Sequence, residues 1–327
     1  MLWTWVASAQ DVPSTTSLQA RAFDAPVSLE IVDLESPSAT RDALADALTE
    51  INEIESLTRD EILIEGPLSA VGVAALEGSE GSSIAVDPRL FELLDRARDY
   101  CVWSQQAHGP LGGSVYSLYE NATLAPPPSL LVERSQWSDC SRLALESETW
   151  TASLVGESSV ELWGFQRGYA IDRAVEILKA RGAVNGWVSI GRVLRAWGPG
   201  LRGKGWPMQV AVMNGEDPPT ERILLLDQAL AMASPLDETL DLGDGVFAPY
   251  INQRNGRPVE GKVAVLAATA TALDAEALAV SLFLMNPREG EYRLGLLQPR
   301  PAVKWFLGTG SGVPLASEKG WSSLTKW

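Results

Sequence analysis

Histidine and cysteine are nearly absent from this sequence. One histidine, His108, and two cysteines, Cys101 and Cys140, occur in 327 residues. A single histidine excludes metal sites that need two, such as H-E-x-x-H, and there is no C-x-x-C motif. A Ser-His-Asp triad would have to use His108, but no G-x-S-x-G elbow accompanies it. We expect His108 to pack in a loop or at the surface. The cysteines are expected to be unpaired small hydrophobic residues, with a disulfide between them as the alternative.

Basic residues and long apolar runs are also scarce. The chain has 26 Lys and Arg against 42 Asp and Glu, which gives a formal charge of −16. Because phosphate backbones are bound by clustered Lys and Arg, this balance argues against a nucleic-acid partner and against an anionic membrane surface. No apolar run approaches the roughly 20 residues that a transmembrane segment requires. With 46% hydrophobic residues, the composition is that of a globular protein with one large domain or two lobes.

The N-terminus resembles the end of a signal peptide. Its first ten residues are MLWTWVASAQ, an apolar stretch that closes on the small-x-small pattern of a signal-peptidase site. We therefore expect an exported protein, in the periplasm or cell envelope, whose mature form begins near Gln10. Intact Met1 on cytoplasmic protein would contradict this expectation.

Hydrophobic periodicity predicts helices and strands mixed along the chain, an α+β class, rather than a strict alternation of the two. Ser36 is expected to cap the first helix, with Pro37 at its first position. Helices are predicted at 37–57, 87–104, 165–180 and 273–285. Strands are predicted at 27–33, 150–154, 160–163, 183–190, 193–197, 208–212, 223–226, 263–269 and, as the last one, 303–307. Residues 60–86 and 105–149 are expected to be loop-like or irregular.

One nucleotide-binding pattern, G-x-G-x-x-G, occurs at residues 198–203. In a dinucleotide site this loop leads into a helix, whose free N–H groups bind the pyrophosphate. Here the following residues, GWPMQV, predict another strand. We therefore expect a hairpin connection rather than a dinucleotide site.

Four segments, in order, resemble the FAD:protein FMN transferases of the ApbE family. They are WGFQRGYAIDRA at 163–174, VSIGRVLRAWG at 188–198, YINQRNGRP at 250–258 and ATALDAEALAVSLF at 270–283. The corresponding family patterns are G-G-x-A-K-G-Y-x-x-D, N-x-G-G-D-x-x-x-x-G, H-x-x-D-P-x-T-G-x-P and D-A-D-A-L-A-T-A-L-F. Each segment alone is a weak match, but the four in this order and spacing are specific.

The resemblance implies a two-lobed α+β fold, T-fold-like, with mixed sheets packed against helices. It places an ApbE-like domain at 22–315, after a signal-peptide remnant and flexible leader at 1–21 and before a C-terminal tail at 316–327. It also implies FAD and Mg²⁺ as cofactors and a threonine of a partner protein as the FMN acceptor. Here that partner would be an exported flavin-carrying protein.

The metal positions of the family pattern are altered. The closing helix should supply an Asp and, one turn later, a Thr, but the chain has Glu276 and Val280. The G-G-D turn becomes Gly191, Arg192 and Val193. A carboxylate is thereby replaced by an apolar side chain. By resemblance Glu276 is the metal ligand that remains, although Mg²⁺ binding becomes doubtful because oxygen donors are missing.

Other polar positions of the pattern are altered as well. The signature Lys is Arg167, the motif His is Pro249 and its Asp is Asn252, while an early M-G-T segment reads FDA at 23–25. No catalytic residue can be assigned. The residues that the resemblance assigns to cofactor binding are Arg167, Tyr169, Gly191 and Asn252.

Because scaffold positions are kept while polar ones are lost, the sequence favours a catalytically impaired or silent member that can still bind a flavin or another nucleotide. One alternative is an active FAD:protein FMN transferase with an altered Mg²⁺ site. Another is an exported binding protein on the same fold, for which the 12 tryptophans would suit a planar ligand. The most useful single observation would be whether the purified protein is yellow or binds FAD, and covalent flavin labelling of an acceptor domain would separate the first two hypotheses.

Overall fold

The computed structural model describes residues 13–59, 83–213, 220–235, 239–243, 245–308 and 315–324. Its helices are α1 (Pro37–Thr58), α2 (Pro88–Trp103), α3 (Gly113–Tyr116), α4 (Pro128–Ser135), α5 (Gln166–Ala180), α6 (Ala272–Leu284) and α7 (Pro287–Leu294). Its strands are β1 (Thr15–Ala22), β2 (Ala25–Val32), β3 (Ile84–Ala85), β4 (Leu143–Glu146), β5 (Thr151–Leu154), β6 (Gly186–Ile190), β7 (Val193–Trp197), β8 (Trp206–Ala211), β9 (Thr220–Leu225), β10 (Gln228–Ala233), β11 (Leu240–Asp241), β12 (Val246–Phe247), β13 (Ile251–Asn252), β14 (Arg257–Pro258), β15 (Lys262–Thr269), β16 (Ala302–Leu307) and β17 (Leu315–Lys319). The expected signal-peptide remnant, the mature start at Gln10 and most of the expected loop at 60–86 lie outside the described residues.

An eight-stranded antiparallel sheet forms the centre of the molecule, in the order β1-β2-β6-β7-β10-β15-β16-β17. Helices α1, α5 and α6 pack together over one face. The hairpin β8–β9 covers the other face with Trp206, Met208 and Ile223. Because both faces are covered, β6 is buried along its whole length. The four helices expected from periodicity are confirmed as α1, α2, α5 and α6.

A smaller hydrophobic cluster, separate from the main core, forms a second lobe from α3, α4 and the short strands β11 to β14. It contains Val115, Tyr119, Leu131, Leu242 and Ile251. The hydroxyl of Tyr119 donates to the carbonyl of Gly256 at 2.6 Å, which ties the segment after α3 to the turn before β14. The α+β class is confirmed. No helix in the described part of the chain is long and apolar enough to cross a membrane.

The buried helix α6 is positioned by an aspartate of α5. Asp172 accepts the N–H groups of Ala272 and Leu273 at 2.8 and 2.9 Å and pairs with Arg195 of β7 at 2.7 Å. Burial raises the pKa of Asp172, opposed by Arg195 and by these N–H groups. A Cβ on Gly168 would lie 2.4 Å from the carbonyl oxygen of Ala272, so only glycine allows the two helices to approach this closely. Asp172 and Gly168 therefore fix where the side chains of α6 lie.

The expectation of a flexible leader over residues 10–21 is wrong from Thr15 onward, because Thr15–Ala22 forms edge strand β1. All eight residues pair with β2. The polar composition of TTSLQARA hides a period of two, with Leu18, Ala20 and Ala22 less exposed than Ser17 and the other residues between them. An edge strand needs only one apolar face, so its sequence is easily mistaken for a loop.

Three other local expectations are also corrected. Residues 160–163 form no strand but a single bridge between Leu111 and Glu161. The strand at 303–307 is not the last, since β17 pairs with it and crosses the predicted boundary at 315/316. The glycine loop at 198–203 is followed by a strand, as expected, but β8 pairs with β9, so the loop joins two sheets rather than closing a hairpin.

The expectation that the cysteines are unpaired is wrong. Cys101, near the end of α2, and Cys140 form a disulfide with Cα atoms 6.1 Å apart. The two residues are separated by 39 positions. Their approach depends on how the 105–149 segment folds back onto α2, which residue spacing alone does not reveal.

Removing this disulfide should destabilise the protein by about 2–4 kcal/mol, because it constrains a long loop in the unfolded chain. The measurement is urea unfolding with and without reductant, compared with a Cys101→Ser/Cys140→Ser variant. That variant should match the reduced wild type and should not respond to reductant. An unfolding midpoint of the wild type that is unchanged by full reduction would contradict the prediction.

Candidate functional site

The segments that carry the four sequence motifs meet at one cleft beside the β6–β7 turn. We call it the central cleft, lined by Trp163, Gly164, Arg167, Arg192, Val193, residues 231–234, Pro249, Tyr250, Glu276, Ala279 and Val280. The start of α5, the β6–β7 turn, strand β10, the residues before β13 and one face of α6 each contribute to its wall. Motifs separated by more than a hundred positions in sequence are thus neighbours in the fold.

Arg167, in the first turn of α5, faces the β6–β7 turn. One terminal nitrogen donates to the carbonyl of Phe23 at 2.9 Å. A Cβ on Gly191 would lie 3.7 Å from the other terminal nitrogen, so the guanidinium rests against this turn. Its Nε is buried and has no hydrogen-bond partner among the described residues. A partly unsatisfied cation of this kind is suited to an anionic ligand.

Glu276 lies on the buried face of α6 and is 7% exposed. Its carboxylate accepts the backbone N–H of Gly168 at 2.7 Å. Burial raises the pKa of Glu276 to about 7, opposed by that N–H and by Arg167. The carboxyl is therefore only partly ionised at neutral pH, and its contact with Gly168 orients it toward the start of α5.

The residues of the central cleft do not suit Mg²⁺. This ion needs several oxygen ligands, but Val280 follows Glu276 by one turn and Val193, the first residue of β7, also lines the cleft. Within the described ranges, no group of three His, Cys, Asp or Glu side chains could hold a metal ion. The assignment of Glu276 as a metal ligand therefore remains a prediction without supporting neighbours.

Two residues assigned to cofactor binding make scaffold contacts. The hydroxyl of Tyr169 donates to Glu92 of α2 at 2.7 Å. The amide of Asn252 donates to the carbonyl of Leu284 at 3.2 Å and accepts from the N–H of Arg254. The structure thus brings Arg167, Gly191 and Glu276 together at the central cleft, whereas Tyr169 and Asn252 hold its supporting elements.

Two aromatic residues at the cleft were given no role in the sequence analysis. The rings of Trp163 and Tyr250 lie 4.8 Å apart, and the Tyr250 hydroxyl accepts the N–H of Ser234 at 2.9 Å. Trp163 is only partly buried and also lines a second, wider cleft of about 240 Å³, together with Arg167. In sequence, Trp163 directly precedes the motif residue Gly164, and Tyr250 directly follows Pro249. This adjacency to motif residues was the sequence signal that could have placed both rings at the site.

His108 packs in a loop, which was one of the two positions expected for it. It is 1% exposed and stacks on Phe165 with ring centroids 4.2 Å apart. Its ring nitrogens lie 3.2 Å from the Ser281 hydroxyl and from the carbonyl of Trp163. Burial lowers the pKa of His108 to about 4. The neutral ring contacts the backbone of Trp163 from within the core. Because Ser281 is fully buried, His108 and Ser281 do not form an accessible nucleophile.

The raised pKa of Glu276 makes stability depend on pH. Between its ordinary pKa of 4.5 and about 7, the folded state keeps a proton that the unfolded state releases, so stability should fall as pH rises through this window. The loss reaches at most about 3 kcal/mol above pH 7. Glu276→Gln keeps an acceptor for Gly168 and should flatten the profile measured by urea unfolding between pH 5 and pH 8. An equally steep fall in the variant would contradict this assignment.

Among known proteins, this chain is similar to members of the ApbE family. The model of that family matches residues 23–301. The FAD:protein FMN transferase of Haemophilus influenzae is 28% identical over 173 residues, so the match spans 49% of this chain and 48% of that relative.

Solved structures of similar fold include an ApbE protein from Thermotoga maritima, with a TM-score of 0.82, 18% identity and coverage of 96% of this chain and 100% of that one. The flavin transferase ApbE from Vibrio cholerae has a TM-score of 0.77 at 17% identity and covers 94% and 97% of the two chains. At these identities the likeness establishes the fold.

Proposed function

This chain belongs to the ApbE family, and on that premise we propose that it has lost metal-assisted FMN transfer and keeps the central cleft as a binding site for a flavin nucleotide. The family uses FAD as the FMN donor for a protein threonine, and a bound metal ion would draw charge from the pyrophosphate. This chain's own residues bind and orient the nucleotide, and no step through a metal is derived for it.

The observation that carries the proposal is the clustering of the substituted positions. Val193, Pro249 and Val280, which stand where the family pattern has Asp, His and Thr, all line the central cleft around Glu276. If these substitutions came from a wrong alignment between this sequence and the family pattern, their positions would be scattered over the fold. Three polar groups replaced by apolar ones in one cleft indicate loss of the chemistry that the cleft once supported.

What remains in the cleft suits a nucleotide with an aromatic ring. Arg167 and Arg192 offer guanidinium groups to phosphates, and Trp163 offers a partly exposed ring face. The central cleft has a volume of about 50 Å³, which has room for a few waters and hence for phosphate groups rather than for a flavin ring. The ring would lie in the wider cleft beyond Trp163, which Arg167 also lines.

Export and a protein partner are part of the same proposal. The Cys101–Cys140 disulfide is typical of oxidising compartments such as the periplasm, which supports the interpretation of the N-terminus as a signal-peptide remnant. The partner would be an exported protein that carries flavin, held in contact with this chain without covalent transfer.

Titration of the purified protein with FAD, followed by the quenching of flavin fluorescence, tests the proposal. We expect saturable binding that Trp163→Ala weakens about tenfold through loss of ring stacking. Trp150→Ala serves as the matched control, because Trp150 is 44% exposed and lies outside the central cleft. Absence of FAD binding, or equal effects of the two substitutions, would contradict the proposal.

A further inference from the structure

We propose that Arg192 takes the charge-neutralising place of a metal ion, so that the diphosphate of a dinucleotide binds between Arg192 and Arg167 without a divalent cation. The inference rests on the proposed function and specifies how its ligand is held. It follows from the mismatch between the cleft and Mg²⁺. Where oxygen ligands for a metal are missing, the chain presents a second permanent cation.

The backbone of the β6–β7 turn holds Arg192 at the cleft. The N–H of Gly191 donates to the carbonyl of Pro26 at 2.9 Å, and the carbonyl of Arg192 accepts the N–H of Met232 at 3.1 Å. The turn is thus fixed to β2 on one side and β10 on the other. Arg192 is 8% exposed and lines the central cleft beside Val193, so its side chain lies within the cleft wall rather than in solvent.

Arg167 reaches the same turn from α5. The 3.7 Å separation between its guanidinium and a Cβ position on Gly191 places it against the residue that precedes Arg192. A guanidinium binds phosphate oxygens through two parallel N–H groups. Two such groups beside one turn can therefore hold the two phosphates of a diphosphate.

The charges around the central cleft favour an anion over a cation. The described residues that line it include two guanidinium groups, Arg167 and Arg192, and the carboxyl of Glu276. Asp172, on the neighbouring turn of α5, is paired with Arg195 and with the start of α6. Guanidinium groups in this wall repel a divalent cation and attract the oxygens of a diphosphate.

The test is a titration with FAD in EDTA and again in excess MgCl₂. We expect the dissociation constants to agree within about threefold. In EDTA, Arg192→Met should weaken binding about 10- to 100-fold, as for loss of a charge-assisted hydrogen bond, and Arg192→Lys should weaken it less. Arg288→Met is the matched control, since it removes one positive charge from an exposed position on α7 and should change affinity less than twofold.

The outcomes separate this inference from the proposed function. FAD that binds only with Mg²⁺ would overturn the inference and leave the proposed function standing, as would an Arg192→Met variant that binds normally in EDTA. FAD that binds in neither buffer would overturn both. Circular dichroism of each variant shows whether it is folded, and the comparison of the two buffers on the wild-type protein holds even if Arg192→Met fails to fold.

Discussion

Incubated with FAD, Mg²⁺ and an acceptor domain that carries a target threonine, this chain is expected to label the acceptor at least about a thousandfold more slowly than an intact family member. Removing one group that stabilises developing charge typically costs about a hundred- to a thousandfold in rate. By the family pattern, three positions of this kind are altered together, as Val193, Pro249 and Val280, and all three line the central cleft. Their effects need not multiply, because groups that act as a unit lose most of their value with the first deletion.

The assay follows covalent flavin fluorescence on the acceptor band of a denaturing gel. An acceptor labelled at the rate of an intact member would overturn the proposed loss of activity. The triple reversion Val193→Asp, Pro249→His and Val280→Thr tests where the defect lies, with the acceptor's Thr→Ala variant as control for non-covalent flavin. Restored labelling would place the defect at these three positions. Continued silence would point to Arg192 and to the turn at 23–25.

The sequence predicts most of the helical layer but misses a central strand. Helices α1 and α2 begin with a capping side chain followed by proline, and a buried stripe extends through each, so their ends are local properties. Strand β10, QALAMA, was not predicted because Ala, Leu and Met favour helices. It becomes a strand through its pairing with β7 and β15, which are distant in sequence.

A sequence motif can locate a residue in the fold where the backbone conformation carries the information. Gly191 adopts φ 58° at the β6–β7 turn and Arg167 opens α5, so a motif that specifies turns and helix starts also places these residues. The roles of Tyr169 and Asn252 depend on partners that no motif contains, namely Glu92 and the carbonyl of Leu284. The aromatic wall of the cleft is likewise a product of tertiary packing.

Asp172→Ala is expected to lower the free energy of unfolding by about 3–5 kcal/mol, the usual cost of removing one partner of a buried ion pair. The change leaves Arg195 without its carboxylate and removes the acceptor for two N–H groups at the start of α6. Because burial raises the pKa of Asp172, the pair itself adds little stability. The expected loss of stability arises because the deletion leaves the Arg195 guanidinium and two backbone N–H groups of α6 without their acceptor.

This reasoning predicts the result of a double-mutant cycle measured by urea unfolding. Arg195→Met alone should be destabilising, but Asp172→Ala/Arg195→Met should cost clearly less than the sum of the two single changes, since no buried charge is left unpaired. Asp172→Asn, which keeps one acceptor oxygen for α6, should fall between the wild type and Asp172→Ala. Additive single effects, or a loss below about 1 kcal/mol for Asp172→Ala, would show that α6 is positioned by packing alone. The same variant should also weaken FAD binding. Glu276 lies one turn beyond Ala272, so a shift of the start of α6 would move the wall of the central cleft. An unchanged affinity for FAD would show that Asp172 positions α6 without influence on this cleft.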